Sequence, residues 1–202
     1  MGHDELIALA VFAGIGSFTP GPNNVVASAT GAAYGLRATL PHIIGVQVGF
    51  LSMLAAATGG VAALVAAEPA LGAALHWAGI AYMAWLALSL ARSRGLAGTG
   101  GGPFRLPLGV IQSAVFQYLN PKAWMLSLAI AGTWLAGPDP WHRALVAGCI
   151  FSVTAASSLL LWGAAGAALR GYFGAEARGA RAINIAMAIA LAATTVWLAW
   201  RG

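Results

Sequence analysis

The chain has 202 residues, of which 60% are hydrophobic and only 7% are charged. Soluble domains carry about 25% charged residues, so a surface exposed mainly to water is excluded and most of this one must face lipid. The net charge of +5 fits basic loops on one face of a membrane better than nucleic-acid binding. The single cysteine, Cys149, excludes an internal disulfide and a dithiol relay.

Six apolar stretches are long enough to cross a bilayer, which takes about 20 residues. In chain order they are Leu6–Ala29, Thr39–Ala67, Leu71–Ala91, Leu106–Ala136, Trp141–Leu169 and Ala182–Trp200. Because lipid offers the backbone no hydrogen bonds, a span must be a helix or part of a closed barrel. These Ala-, Leu- and Val-rich stretches lack the alternating polar positions of a barrel, so the sequence predicts an all-α integral membrane protein.

The arginines in the connections predict how these helices are oriented. One side of the membrane would carry seven arginines, and the other side only Arg143 and Arg201. The seven are Arg37, Arg92, Arg94, Arg105, Arg170, Arg178 and Arg181. Positive loops stay inside, so both termini are expected outside a bacterial-type inner (plasma) membrane. The Gly-rich stretch 93–105 would be a cytoplasmic linker between two three-helix sets, 1–92 and 106–202, of a single transmembrane domain.

Proline motifs interrupt two of the six predicted helices at matching positions. "TPGPNN" (Thr19–Asn24) breaks the first and "NPK" (Asn120–Lys122) breaks the fourth, with Pro20 and Pro121 lying 101 residues apart. Because each half has an odd number of helices, the second half is inverted relative to the first. Interrupted helices at equivalent places in inverted repeats indicate a transporter site near the middle of the membrane. The alternative is two unrelated proline kinks, which membrane helices tolerate.

Each break is predicted to start a half-helix inside the membrane. Asn120 is a favourable N-cap and Pro121 a favourable first residue. In the first break, either Thr19 or Gly21 caps a start at the proline that follows it. Unpaired N–H groups give each start a partial positive charge, and inversion would turn the two starts toward one another. Such a pair suits an anion, for example a carboxylate.

Lys122 is a charged residue near the centre of the fourth predicted span, where it costs about 2.5–3.5 kcal/mol on insertion scales. The acidic residues all lie at span ends or in loops, and they are Asp4, Glu5, Glu68, Asp139 and Glu176. The lysine is therefore neutral when the site is empty, or faces water and carbonyl groups, or receives its partner as the carboxylate of a substrate, which we favour. The alternative is a structural brace that donates to carbonyl groups freed by Pro20 and Pro22.

Other polar residues lie at membrane depth. Asn23 and Asn24 adjoin the first break, so we interpret them as ligands of a substrate. Gln117 is interpreted as an amide that joins helices, a common use of such side chains. Gln47 fits either role, and Trp124 either walls a pocket or packs.

The sequence offers no chemistry for an enzyme. It has no Ser-His-Asp arrangement, no phosphate-binding glycine loop and no pair of intramembrane carboxylates. The four histidines lack metal-ligand spacing, so we expect no metal site, no catalytic residue and no cofactor. His42 is a candidate for handling a proton.

With "TPGPNN", "NPKAW" and "WAGIAYMAWLA" (Trp77–Ala87), the chain resembles the LysE/RhtB family of amino-acid exporters, and within it the branch that exports cysteine and O-acetylserine. The resemblance implies an inner-membrane exporter of small amino acids, driven by the proton gradient. It carries functional expectation to Pro20, Gly21, Pro22, Asn23, Pro121 and Lys122. Relatives often have Asp where Asn24 stands here.

These observations predict six transmembrane helices arranged as two inverted three-helix repeats. The protein is expected to export small zwitterionic amino acids or related metabolites from the cytoplasm by proton-coupled alternating access. The alternatives are a non-transporting membrane scaffold and, less favoured, a membrane-embedded enzyme. Gly31-xxx-Gly35 and Gly45-xxx-Gly49 would let helices move against each other, and such faces are equally compatible with a homo-oligomer. The partners of the protein would be the amino-acid substrate, protons and membrane lipid. The predicted substrate site comprises Thr19, Pro20, Gly21, Pro22, Asn23, Asn24, Gln47, Asn120, Pro121, Lys122 and Trp124.

Overall fold

The computed structural model describes residues 1–92, 107–135, 137–173 and 177–201. Within these ranges every regular element is helical, which confirms the predicted all-α class. The α-helices are α1 (His3–Phe18), α2 (Pro22–Tyr34), α3 (Leu40–Ala56), α4 (Ala62–Ala67), α5 (Pro69–Arg92), α6 (Val110–Tyr118), α7 (Pro121–Trp134), α8 (Pro140–Phe173) and α9 (Ala177–Arg201). The predicted linker, 93–105, lies outside the described residues.

Three helical stretches in the described chain are long and apolar enough to cross a membrane, and α1 with α2 would make a fourth as one span bent by 53°. The three are Leu36–Ala67, Pro69–Arg92 and Pro140–Leu169. The predicted fourth span consists of α6 and α7, of 9 and 14 residues, each shorter than the about 20 that a span needs. In the predicted sixth span the apolar part, Asn184–Trp200, is also shorter. Six spans therefore remain a prediction.

Both predicted breaks are confirmed. The first separates α1 from α2 between Phe18 and Pro22, and the second separates α6 from α7 between Tyr118 and Pro121. Each second half-helix begins at a proline, whose missing N–H leaves the preceding turn without its hydrogen bond.

The predicted second span contains an irregularity that we did not expect. After α3 the chain forms a wide helical turn, Ala57–Val61, before α4 continues. Gly60 has a φ of 126°, which is the region that favours glycine. The adjacent glycines of "TGG" are the local cause, because the backbone there is least restrained.

Helices of one predicted half pack mainly against helices of the other half. The broken pair α1 and α2 lies against α8, and reciprocally α3 lies against the broken pair α6 and α7. The remaining two long helices, α5 and α9, pack together. Apolar clusters bridge the halves in the same way: Leu9 and Phe151 belong to one cluster, and Val25 and Leu191 to another.

Glycines allow the closest helix contacts. A Cβ added to Gly49 would lie 2.7 Å from Gln117 Cβ, and one added to Gly45 would lie 2.6 Å from Ser113 Cβ, so the predicted Gly45-xxx-Gly49 face packs on α6. Gly31 packs in the same way on the backbone of α8 at Gly163. The prediction for Gly35 is wrong. This residue has a φ of 85° and ends α2, and a Cβ there would meet nothing within 4 Å.

Candidate functional site

The two helix breaks meet at one cavity of about 50 Å³. A single water needs about 10–15 Å³, so the cavity has room for several waters or a small solute. Apolar side chains from α3 and α8 form one wall, and polar groups from both breaks form the other. The lining residues are Gly16, Ser17, Gly21, Asn23, Asn24, Val46, Phe50, Gln117, Asn120, Lys122, Ala123, Leu126, Phe151, Ala155 and Leu159.

The first break leaves the start of α2 uncapped. Thr19 ends α1, its hydroxyl donating to the Ile15 carbonyl at 2.6 Å, and Gly21 is the N-cap of α2. Of the two predicted alternatives, the start after Gly21 is therefore the one that occurs. Glycine has no side chain to accept the first amides, and the N–H groups of Asn23 and Asn24 find no hydrogen-bond partner among the described residues. These two donors beside the cavity form an open positive helix end.

The second break is capped by its own side chain, as predicted. Asn120 is the N-cap of α7, and its Oδ1 accepts from the backbone N–H of Lys122 at 3.1 Å. Its Nδ2 donates to Gln117 Oε1 at 3.4 Å. Because the backbone N–H of Lys122 already has an acceptor, the start of α7 leaves fewer backbone donors for a ligand than the start of α2 does.

The Lys122 amine reaches across the cavity to the first break. It donates to the Thr19 carbonyl, which also accepts from Asn24 Nδ2 at 3.1 Å. This is the bracing bond proposed above as the alternative for the lysine. A Cβ on Gly21 would lie 3.0 Å from Lys122 Cδ, so the glycine leaves the space that the lysine side chain occupies on its way to Thr19.

No described carboxylate balances that amine. The ion pair between described side chains is Glu5 with Arg143, at 3.3 Å. Lys122 is the only lysine in the chain. The Lys122 amine, which when protonated keeps two donors beyond its bond to Thr19, lies next to an uncapped helix start, and this makes the cavity attractive to an anion.

An amide cluster joins the two breaks. Asn23 Nδ2 donates to Gln117 Oε1 at 2.6 Å, which confirms Gln117 as a residue that joins helices and also brings it to the cavity wall. The Asn23 Oδ1 atom is buried and has no hydrogen-bond partner among the described groups. Buried acceptors are normally satisfied, so this oxygen is ready to receive a donor placed in the cavity.

His42 supports this cluster from behind the cavity. It is fully buried, with Nδ1 at 2.9 Å from Ser113 Oγ and Nε2 at 3.2 Å from the Asn23 carbonyl oxygen. A carbonyl only accepts, so Nε2 carries the proton and the Ser113 hydroxyl donates to Nδ1. His42 therefore connects α3 to the start of α2 and to α6.

Six of the predicted site residues do not line the cavity, namely Thr19, Pro20, Pro22, Gln47, Pro121 and Trp124. Gln47 Nε2 donates to the Ser152 carbonyl at 3.1 Å, and Trp124 Nε1 donates to the Tyr118 carbonyl at 2.9 Å. The prolines Pro20, Pro22 and Pro121 form the breaks without reaching the wall. Thr19 takes part through its carbonyl group, which accepts from Lys122. For Gln47 and Trp124 the structure thus shows helix-joining and packing contacts.

Polar groups on α8 are part of the site region, although they were not predicted from the sequence. Ser158 Oγ donates to the Ser17 carbonyl at 2.8 Å, and the Ser17 hydroxyl lies 3.1 Å from Thr154 Oγ1. The Ser158 hydroxyl thus satisfies a backbone carbonyl near the end of α1, and Thr154 pairs with the side chain of Ser17. The available signal was the spacing of Thr154 and Ser158, four residues apart on one face of an otherwise apolar helix.

The LysE type translocator family profile matches residues 14–201. Curated relatives include cysteine/O-acetylserine efflux proteins of Klebsiella pneumoniae subsp. pneumoniae and Salmonella typhimurium (strain LT2), each 31% identical over 121 residues. The protein of that name from Escherichia coli O1:K1 / APEC is 30% identical over the same length. The matched stretch covers 60% of this chain and 60% of each relative. No solved structure shows a significant match. Since the profile covers nearly the whole chain, this membrane protein belongs to the LysE type translocator family.

Proposed function

We propose that the protein exports small zwitterionic amino acids, of the size of cysteine and O-acetylserine, from the cytoplasm across the inner membrane. The observation that carries this proposal is the uncapped start of α2 beside the Lys122 amine, in a cavity with no described carboxylate. Membership of a translocator family and the names of the relatives support it.

The α-carboxylate of the substrate would bind at the N–H groups of Asn23 and Asn24 and at the Lys122 amine. A negative charge at a helix start gains about 0.3–1 kcal/mol, up to about 2 kcal/mol when partly buried. A hydrogen bond to a charged group adds about 1.5–3 kcal/mol. The substrate ammonium would donate to Asn23 Oδ1, which lacks a partner among the described groups.

The bond from Lys122 to the Thr19 carbonyl belongs, in this proposal, to the empty state. A neutral carbonyl is a weaker acceptor for an ammonium than a carboxylate is. An arriving carboxylate would therefore draw the amine away from the first break. Brace and ligand are then successive roles of one side chain, and the exchange couples substrate binding to the contact between the breaks.

We place this site between two inverted three-helix repeats, 1–92 and 106–202, with both termini outside. The reciprocal packing supports this arrangement, because α1 and α2 lie on α8 while α6 and α7 lie on α3. Alternating access would be a rocking of one repeat against the other, with the glycine contacts of Gly49 on α6 and Gly31 on α8 as the moving surfaces. Proton coupling would use the same lysine, protonated with substrate and neutral on return.

The test is efflux of preloaded labelled amino acids from proteoliposomes, comparing the wild type with Lys122→Met. Loss of one charge-assisted hydrogen bond, worth about 1.5–3 kcal/mol, should slow serine efflux about 10- to 150-fold. Arg92→Met is the matched control, since it removes an exposed cation at the end of α5 and should leave efflux unchanged. An imposed pH gradient should accelerate wild-type efflux.

Serinamide, which lacks the carboxylate, separates the ligand role from the brace role. If Lys122 holds the carboxylate, the wild type should move serinamide poorly and Lys122→Met should lose that preference. A purely structural lysine would instead lower thermal stability in the variant and leave the serine-to-serinamide ratio as in the wild type. No efflux of any amino acid by the wild type would favour a scaffold.

A further inference from the structure

A second cavity lies on the other side of the Lys122 side chain. It has a volume of about 210 Å³ and is formed between α1, α7 and α9. Its walls are almost wholly apolar, with Phe12, Met125 and Leu198 among them, and Thr19 and Lys122 also line it. It is larger and more apolar than the cavity of about 50 Å³ at the breaks.

Leu126 separates the two cavities. Gly16, Lys122 and Leu126 line both of them. A Cβ on Gly16 would lie 2.9 Å from Leu126 Cδ2, so the leucine side chain rests directly on the backbone of α1. A leucine side chain has several staggered rotamers, so a change of rotamer is enough to open this boundary. The boundary between the cavities is therefore a side chain that a ligand displaces without moving a helix.

We propose, resting on the function proposed above, that the apolar cavity is a side-chain subsite for amino acids with aliphatic side chains. Lys122 lines both cavities, so a substrate whose carboxylate is held there would have its α-carbon beside the contact between Gly16 and Leu126. A small polar side chain stays in the cavity at the breaks. An aliphatic one passes Leu126 and is buried against Met125 and Leu198, which makes Leu126 a specificity-determining residue.

A lipid acyl chain is the competing occupant, because the cavity opens beside Ile15 and Trp197, which are 66% and 52% exposed. An acyl chain would cover the apolar walls and leave the donors that the Lys122 amine has beyond its bond to Thr19 unused. An amino acid covers the same walls and also supplies a carboxylate to the amine. The presence of one amine in the lining of an otherwise apolar cavity therefore favours the amino acid.

The test uses proteoliposomes of the full chain, preloaded with labelled L-serine or labelled L-methionine. The wild type should export methionine, and unlabelled methionine should inhibit serine efflux. Ala129→Leu fills the apolar cavity and should weaken methionine inhibition about tenfold or more, the effect of about one methylene in an apolar pocket, relative to any change in serine efflux. Leu126→Ala should shift the methionine-to-serine efflux ratio toward methionine. Ala193→Leu, at an exposed position of α9, is the control and should match the wild type.

The outcomes separate the two proposals. If serine leaves the wild type while methionine is neither exported nor inhibitory, the subsite is overturned, the cavity belongs to lipid and the exporter function stands. If Ala129→Leu lowers serine and methionine efflux equally, the residue is merely structural and the subsite is overturned as well. If neither amino acid moves in the wild type, both proposals fail.

Discussion

Substituting Gly49 by alanine perturbs the candidate site through the helix contact that supports it. The new Cβ would lie 2.7 Å from Gln117 Cβ and 2.8 Å from the Ala114 carbonyl oxygen. Both neighbours belong to α6, so no flexible chain end can give way. Reaching the ordinary contact distance of 3.4 Å moves α6 from α3 by about 0.7 Å. Overpacking of this kind costs about 1–3 kcal/mol.

The matched control is Gly14→Ala, because a Cβ on Gly14 would meet nothing within 4 Å in α1. There alanine should stabilise the helix by up to about 1 kcal/mol. In detergent, Gly49→Ala should therefore melt below Gly14→Ala, by about 2–12 °C for a steric cost of about 1–3 kcal/mol. Displacing Gln117 also lengthens its 2.6 Å bond to Asn23, so serine efflux should fall in the same variant. A Gly49→Ala protein as stable and active as Gly14→Ala would refute the close contact.

Two further predictions concern groups around the breaks. Asn120→Ala removes the cap on the Lys122 N–H and should cost about 0.5–2 kcal/mol, measured as a lower Tm, while Asn120→Asp keeps a capping oxygen and should recover most of it; equal Tm values for the two variants would contradict the cap. His42→Leu leaves the Ser113 hydroxyl buried without its partner, at about 1–3 kcal/mol. Adding Ser113→Ala should restore part of that loss, and a double variant no more stable than the single one would argue against the hydrogen bond.

The sequence predicted the breaks because proline acts locally. Pro22 and Pro121 lack the N–H that continues a helix, whatever surrounds them, and Asn120 caps its helix through a contact two residues away. The choice between Thr19 and Gly21 as the first cap could not be predicted. It depends on the backbone direction between two helices bent by 53°, which tertiary packing decides.

The contribution of each polar side chain was harder to predict, because composition does not give the rotation of a helix about its axis. Gln47 and Gln117 are alike in the sequence, yet only Gln117 lines the cavity. The partners that decide this lie far along the chain: Gln47 bonds to Ser152 on α8, and Gln117 to Asn23 on α2.

The crossed packing of the helices has a consequence for biogenesis. The Ser17 and Thr19 carbonyl groups, released where α1 ends, share one donor of the first half, Asn24 Nδ2. Each receives a further donor from the second half, Ser17 from Ser158 and Thr19 from Lys122. While the chain emerges from the ribosome, the first broken helix therefore enters the bilayer with a single side-chain amide serving both carbonyl groups. A fragment ending at residue 92 would keep only that amide in lipid, so the early segment depends on water or the insertion machinery until α7 and α8 arrive.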